Sequence, residues 1–409
     1  YLRLLSNTDA LVTEFSDTEL KSVSAVEQIN LLSIELPINT LEFTILTTNP
    51  DFNIFAETGE YSLLKENRAL YCYESVDNVE YLIGKFYLEK WEHLSETEMQ
   101  FHAVDIVGLL EKRKSYGYFD FWLTVPPGTS VKDSLEWEFG LIGVDIQVDA
   151  SFSSTPIEGW LPVCSYRELL EQFCFSIGAY VATARLTTIQ VLPMPVIADI
   201  TTTDYTITKA NKGGQVSISQ KPLVTGVEIM AHDYSLRVVD TVVSILFSAD
   251  LVAGVYTVNF KTLTGGVEFT EGTIYEGSTI SGVNFITFEV TSPSRVTITG
   301  REGVEGKHLE SFYNETLPAG TLSNVVRIDD ATLVGSNTSA DVVERVYDYY
   351  QARYVLKTKL YASQIQCGNT VLIDTVAGRQ IKGVVEKIEL DLSGGFTQRI
   401  EVVGMVVPL

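Results

Sequence analysis

Histidine, cysteine and basic residues are all scarce in this 409-residue chain. The histidines, His93, His102, His232 and His308, stand far apart and share no HxH or HxxxH spacing. A zinc site therefore has no local signature. The cysteines, Cys72, Cys164, Cys174 and Cys367, include no CxxC pair. They read as reduced, structural thiols of a protein made inside a cell, not as a disulfide framework. Only 29 Lys and Arg face 53 Asp and Glu, a formal charge of −24. That balance repels phosphate and argues against binding nucleic acid through a basic footprint. It suits a soluble, non-adhesive surface. No apolar run reaches the roughly 18 residues that a membrane-crossing helix needs. The chain opens on Tyr1, with no charged-then-apolar leader behind it.

Catalytic signatures are missing as well. There is no GxSxG, no GxxxxGK[ST] and no paired Cys–His arrangement. The Gly-Arg-Glu-Gly turn from Gly300 to Gly303 is too short to cradle a phosphate by itself. With 53 carboxylates, close pairs arise by chance, so spacing assigns no glycosidase dyad. Trp91, Trp122, Trp137 and Trp160 read as core or interface packing before sugar stacking. We assign no catalytic, cofactor-binding or metal-binding residue and no cofactor, and read the chain as a non-enzyme.

What the chain does have is strand material. It carries 20 Tyr, 19 Phe and 29 Gly, which favour strands and turns. Its length exceeds one ordinary core and implies several domains. The clearest unit runs from Ser165 to Leu192. Ser165 with Glu168 forms a capping box, and Leu169, Leu170, Phe173, Cys174 and Ile177 recur at helical spacing. Gly178 stops that helix. Tyr180–Ala184 and Thr188–Leu192 then read as two short strands across a polar turn.

Taken in order, residues 1 to about 25 are weakly patterned and predict a loose arm. INLLSIEL puts Leu32, Ile34 and Leu36 on one face, which predicts a strand. Leu41–Leu46, Ala69–Glu74, Tyr81–His93 and Glu98–Val104 continue as strands of a small barrel or sandwich, closed by a helix over Val104–Lys112. Turns are expected at Asn49-Pro50, Thr58-Gly59 and Asp77-Asn78. A seam follows at Pro126-Pro127-Gly128, after the basic cluster Lys112-Arg113-Lys114. Ser130 with Asp133 caps a second helix carrying Val131, Leu135 and Phe139, before a strand near Val144–Val148. Strands resume over Val216–Ala231. From Asp233 to about Asn324 short strands such as Val255–Phe260, Phe285–Val290 and Val296–Thr299 alternate with glycine turns, and helical spacing is absent. Thr338 and Asp341 cap a third helix with Val342, Val346, Tyr350 and Tyr354 on one stripe. Strands Thr370–Asp374, Gln380–Leu392 and Thr397–Val407 end the chain. In the middle one Ile381 and Val385 keep one parity, and Ile388, Leu390 and Leu392 the other. That slip predicts a β-bulge.

This order of parts, with EQINLLSIELPI, YRELLEQFCFSIGAYV, ADVVERVYDYYQARY and the final GNTVLIDTVAGRQIKGVVEKIELDLSGGFTQRIEVVG, resembles the baseplate-hub and tail-tip proteins of tailed bacteriophages and related tail-like particles. It looks most like the hub and tail-associated proteins of phages and prophages from Gram-positive hosts. The likeness covers the chain from about residue 25.

The resemblance implies a mainly β fold with an α+β insertion and two small barrels. The expected division is a first barrel with its arm over 1–112, an α/β domain over 113–198, a second barrel over 199–235 and 325–409, and an inserted β domain over 236–324. It also implies a structural homotrimer in the virion, at the tail tip or baseplate, assembled in the host cytoplasm. That ring would join the sixfold tail tube, or a distal tail protein, to the threefold tip, with its spike or fibre proteins. It would surround a channel for the tape-measure protein and for DNA as passing cargo. The channel wall should be acidic or neutral, with Lys112, Arg113 and Lys114 turned to a protein surface or to solvent. Some relatives carry a lysin domain after the hub region, which this chain lacks as far as Leu409. Two other readings are the anchoring part of a tail-associated cell-wall-degrading enzyme, and a host-glycan receptor-binding tail protein with its module near residues 233–324.

Overall fold

The computed structural model describes residues 1–5, 11–16, 18–47, 64–119, 130–157, 159–236, 243–361, 363–375, 378–393 and 397–407. The expected turns at residues 49–50 and 58–59, the seam at 126–128 and Trp122 lie outside them.

The first half of the chain builds seven strands: β1 (Leu2–Leu5), β2 (Leu11–Phe15), β3 (Leu20–Gln28), β4 (Thr40–Leu46), β5 (Ala69–Val76), β6 (Val79–Ser95) and β7 (Glu98–Val104). The expected loose arm is therefore wrong. Leu2 and Leu4 are among the most deeply buried side chains, because β1 pairs with both β2 and β5. The period-2 signal there spans only four residues, too short to stand out in a sequence. INLLSIEL is not a strand either. It forms turns, with Ser33 at φ 52 and Ile34 exposed, although Leu31, Leu32 and Leu36 are buried. Asn30 drives this: its side chain accepts from the Leu32 N–H at 3.0 Å, a local bond that competes with strand pairing. The Asp77-Asn78 turn is as expected. Both residues are left-handed, φ 52 and 65, the backbone of a tight two-residue hairpin between β5 and β6.

The last strands, Tyr354–Tyr361, Thr370–Asp374, Gln380–Asp391 and Thr397–Val406, do not close a second barrel. Strand Gln380–Asp391 pairs with β3, from Lys387 opposite Gln28 to Asp391 opposite Ser24. The two strand-rich regions are thus one 13-stranded sheet, whose main path runs from Ser217–Gln220 at one edge to β2 at the other. The mainly β class with an α/β part holds, but among the described residues the sheet path is open. One core lies across it, with Phe43, Phe101, Leu41, Leu70 and Ile388 fully buried. The bulge expected in Gln380–Asp391 is present: the register slips between Val385 and Lys387, so Val385 and Ile388 both point inward.

Four helices cover the flanks: α1 (Ile106–Leu110), α2 (Val131–Leu141), α3 (Tyr166–Ile177) and α4 (Ser339–Gln351). Ser130 and Ser165 cap α2 and α3 by accepting from the Asp133 and Glu168 amides at 3.2 and 3.1 Å. Leu169, Leu170, Phe173 and Cys174 of α3 pack against Val131, Leu135 and Phe139 of α2, beside a small sheet in which Ile146–Val148 runs parallel to Ile189–Pro193. Gly178 ends α3 at φ 72. Arg345 of α4 donates to the Phe175 carbonyl at 2.5 Å, a cation on the negative end of α3. Thr338 precedes α4 but makes no side-chain cap bond. Val342, Val343, Val346 and Tyr347 are buried, whereas Tyr350 is half-buried and Tyr354 belongs to the next strand. None of the described helices is long and apolar enough to cross a membrane.

Between these parts, strand Gly226–Leu236 pairs along its whole length with the 20-residue strand Ser294–Tyr313. The first part of Ser294–Tyr313 pairs antiparallel with Ser244–Leu251 and Thr264–Glu271. A second small sheet, centred on Phe285–Val290, packs there through Phe288, Val296 and Ile298.

Two outcomes follow from this packing. Val346→Asp places an unpaired charge at a site with no exposure and should cost on the order of 3 kcal/mol or more, read as a lower urea midpoint. Glu138 of α2 has its carboxyl pushed from 4.5 to about 7 by burial. The native state therefore favours the protonated group, and this contribution is lost as pH rises from 4.5 through about 7. A shift of that size corresponds to on the order of 3 kcal/mol. Glu138→Gln should flatten the decline in Tm across that window.

Candidate functional site

The most constructed polar site lies at the junction of the two sheet halves. Glu27 of β3 is almost wholly buried, because Gln380–Asp391 pairs over it. Its partner, Arg185, comes from the turn between Ala179–Ala182 and Ile189–Pro193. Arg185 Nε donates to Glu27 Oε1 at 2.9 Å, and its Nη2 donates to the Ile365 carbonyl at 3.1 Å. Its own backbone N–H donates to the Ile83 carbonyl at 3.1 Å. Holding that position needs φ 59, a left-handed conformation costing about 1 kcal/mol in a side-chain-bearing residue. Burial raises the Glu27 pKa, and the guanidinium opposes it. Glu27 Oε2 has no hydrogen-bond partner among the described residues. Above the guanidinium opens a cleft of about 590 Å³, lined by Val76, Tyr81, Tyr205, Gln364, Gln366 and Asn369. Its polar lining combines amides and hydroxyls with the Glu74 carboxylate and Arg185 itself. None is a nucleophile set beside a base.

A second polar cluster sits on the long ladder. His232 is buried, with Nδ1 2.9 Å from Glu305 Oε1 and Nε2 3.1 Å from the Asp329 carbonyl. Tyr234 donates to Glu305 at 3.0 Å, and Trp160 packs edge-on against Tyr234 at 5.6 Å. Burial pushes the Glu305 carboxyl up, but bonds from His232, Lys307 and Tyr234 outweigh it and hold it low. Nearby, Ser336 Oγ lies 3.3 Å from His308 Nδ1, but it also bonds the Asp233 carboxylate. Asp233 further accepts the Ser336 amide at 2.9 Å. The hydroxyl is thus tied to a carboxylate on an exposed surface, which is the geometry of a loop anchor and not of an activated nucleophile.

His102 Nδ1 lies 3.3 Å from Glu89 on the sheet surface, and His93 lies on the adjacent strand, opposite Met99. Among the described residues no group of His, Cys, Asp or Glu converges as a metal site. Cys72, Cys164 and Cys174 are buried free thiols, and burial pushes Cys72 up to about 12. Trp91 packs against the main core, and Trp137 is 40% exposed on α2.

Lys112, Arg113 and Lys114 are all exposed, as expected. They are not equivalent: Arg113 donates to the Ile142 carbonyl at 3.0 Å at the end of α2, and Lys112 lies 3.5 Å from Glu89. Sequence reasoning missed a second basic cluster, assembled by pairing. Lys357, Lys359, Lys387 and Arg399 come from three strands that lie side by side. The signal was compositional: residues 353–409 hold seven basic and five acidic residues, in a chain of net charge −24.

No known protein-family profile matches the sequence, and no curated protein matches it. Solved structures do. A 43 kDa tail protein of prophage MuSo2 from Shewanella oneidensis shares 8% identity at TM-score 0.54, over 98% of both chains. A tail protein of Neisseria meningitidis shares 9% identity at TM-score 0.55, over 99% of this chain and 96% of that one. The chain has the fold of phage tail proteins. Prophage tail protein gp18 of Listeria monocytogenes adds a third case, 11% identical at TM-score 0.51, over 98% of this chain and 93% of its own. The likeness to hub and tail-tip proteins is therefore borne out as a likeness of fold. The match spans nearly the whole tail-protein fold, so the junction at Glu27 and Arg185 is internal to it.

Arg185→Ala would leave the Glu27 carboxylate buried and unpaired. Loss of one partner from such a pair costs about 3–5 kcal/mol. Glu27→Gln combined with Arg185→Ala should recover part of that loss in chemical denaturation. Equal losses for the single and double variants would show that the pair contributes nothing through its charges.

Proposed function

We propose that this chain is a non-enzymatic structural component of a phage tail or tail-like particle, acting as a baseplate-hub or tail-tip subunit. It assembles as a homotrimeric ring between the tail tube and the tip, around a channel passed by the tape-measure protein and then by DNA. The observation that carries this reading is a tail-protein fold along 98% of the chain or more, at TM-scores above 0.5. Two features support assembly. Among the described residues the path of the 13-stranded sheet ends on two edges, Ser217–Gln220 and β2, and a sheet edge is a template for another chain. Leu11 of β2 and Ile218 of the other edge strand are 57% and 38% exposed. The junction at Arg185 acts as a fixed corner, so that both sheet halves are presented in one geometry.

The domain division read from the sequence is kept as part of this proposal: 1–112, 113–198, 199–235 with 325–409, and 236–324. The long strand Ser294–Tyr313 then links the inserted unit to the body. The acidic balance suits a conduit that must not hold phosphate.

Native mass spectrometry and particle imaging of the assembled tip test the reading. A threefold ring is the expected result. A monomer at assembly concentrations, with no ring in the particle, overturns it. Lys112→Glu with Lys114→Glu leaves the Arg113 bond to α2 intact and should impair assembly, not the passage of DNA. Normal assembly with failed DNA delivery would place these cations in the channel.

A further inference from the structure

The outward face of the strands Tyr354–Tyr361, Thr397–Val406 and Gln380–Asp391 is a grid of charges. Thr358, Leu356 and Leu360 point inward, and Lys357 and Lys359 point out. In one row Glu401 stands between Lys357 and Lys387. Lys357 takes Glu401 at 2.7 Å. In the next row Arg399 stands between Lys359 and Glu389. Glu389 is bonded by Lys387 at 2.9 Å, and Arg399 acts on it only through its charge, without an ion-pair contact. Lys359 and Arg399 are therefore directly opposite each other, both exposed, and neither has an ion pair among the described residues.

Like charges directly opposite in a ladder destabilise a sheet. Here Glu401 bonds Lys357 and Glu389 bonds Lys387, so among the described residues neither carboxylate makes an ion-pair contact with Lys359 or Arg399. The two exposed cations sit in a shallow concavity of about 340 Å³, rimmed by Lys357, Lys387, Glu389 and Glu401. The four cations outnumber the two carboxylates, in a chain whose overall charge is −24.

We propose that this face is a docking surface for an acidic protein segment, which sets two carboxylates against Lys359 and Arg399. Charge complementarity carries the assignment. A carboxylate gives Arg399 the planar, bidentate acceptor that the described residues do not supply. Nucleic acid fits less well. Glu389 and Glu401 lie within the same concavity and would face the phosphates, and two contacts release too few counterions for firm binding. The proposal rests on this arrangement of charges and does not depend on the number of subunits in the ring.

The test uses the full chain, a fluorescent hexapeptide of alternating Glu and Gly, and a DNA oligonucleotide of comparable charge. At low salt the peptide should bind saturably, and more tightly than the DNA. Lys359→Glu should weaken the peptide at least tenfold. It also sets a carboxylate opposite Arg399, so its Tm should stay level or rise. Arg399→Gln, which removes one cation without reversing it, should give a smaller loss of binding with an intact fold. Absence of peptide binding, equal binding by Lys359→Glu, or tighter binding of the DNA would overturn the proposal. A lowered Tm for Lys359→Glu would overturn it too, because it would show that Lys359 is satisfied within the chain.

Discussion

Everything in this structure depends on one strand having two neighbours. β3 pairs with β4 on one side and with Gln380–Asp391 on the other. That second pairing joins residues more than 350 positions apart and turns two strand-rich segments into one sheet. Val23 and Ala25 of β3 face the same core as Ile388 and Leu390. Interior packing makes the register strict, because a slip by one residue would turn each of these side chains out to water. The bulge between Val385 and Lys387 is the local adjustment that keeps Val385 and Ile388 on one face while the strand passes from one partner to the other.

The polar consequence of that joint is Glu27. A carboxylate on the inward face of β3 becomes buried only once the last strands cover it. The chain meets the desolvation cost with a guanidinium from a third region, held in a strained backbone conformation. Arg345 plays a similar part between α4 and α3, where burial lowers its pKa to about 10 and the Phe175 carbonyl accepts its N–H. Two half-buried arginines thus tie the α/β part to β3 and to α4.

The same pairing that buries apolar residues also sorts the charges. In sequence, Lys359 and Arg399 are 40 positions apart and unremarked. In the sheet they are opposite each other. A chain of net charge −24 can therefore present a local positive face. The total charge governs long-range repulsion of phosphate, whereas short-range recognition is set by the grid, since exposed charges beyond about 8 Å are screened at physiological salt.

Local signals were legible where the physics is local. Ser130 and Ser165 as caps, Gly178 as a stop, the left-handed Asp77-Asn78 turn and the slip in Gln380–Asp391 all depend on residues within a few positions of one another. So does the apolar stripe of α3, whose Leu169, Leu170, Phe173 and Cys174 repeat every three to four residues. The tail-protein fold was also readable, from the order of such units. What lies outside that range was decided by tertiary structure. β1 is a strand because β2 and β5 flank it, and Leu31 is buried in a turn because the chain bends at Asn30. Among the described residues the sheet path stays open, because β3 pairs with a strand from the far end of the chain. Glu27, Arg185, Lys359 and Arg399 matter only through neighbours that the sheet supplies. Strand pairing carries no sequence distance, so the sequence determined the pieces, and burial of their shared face determined how they meet.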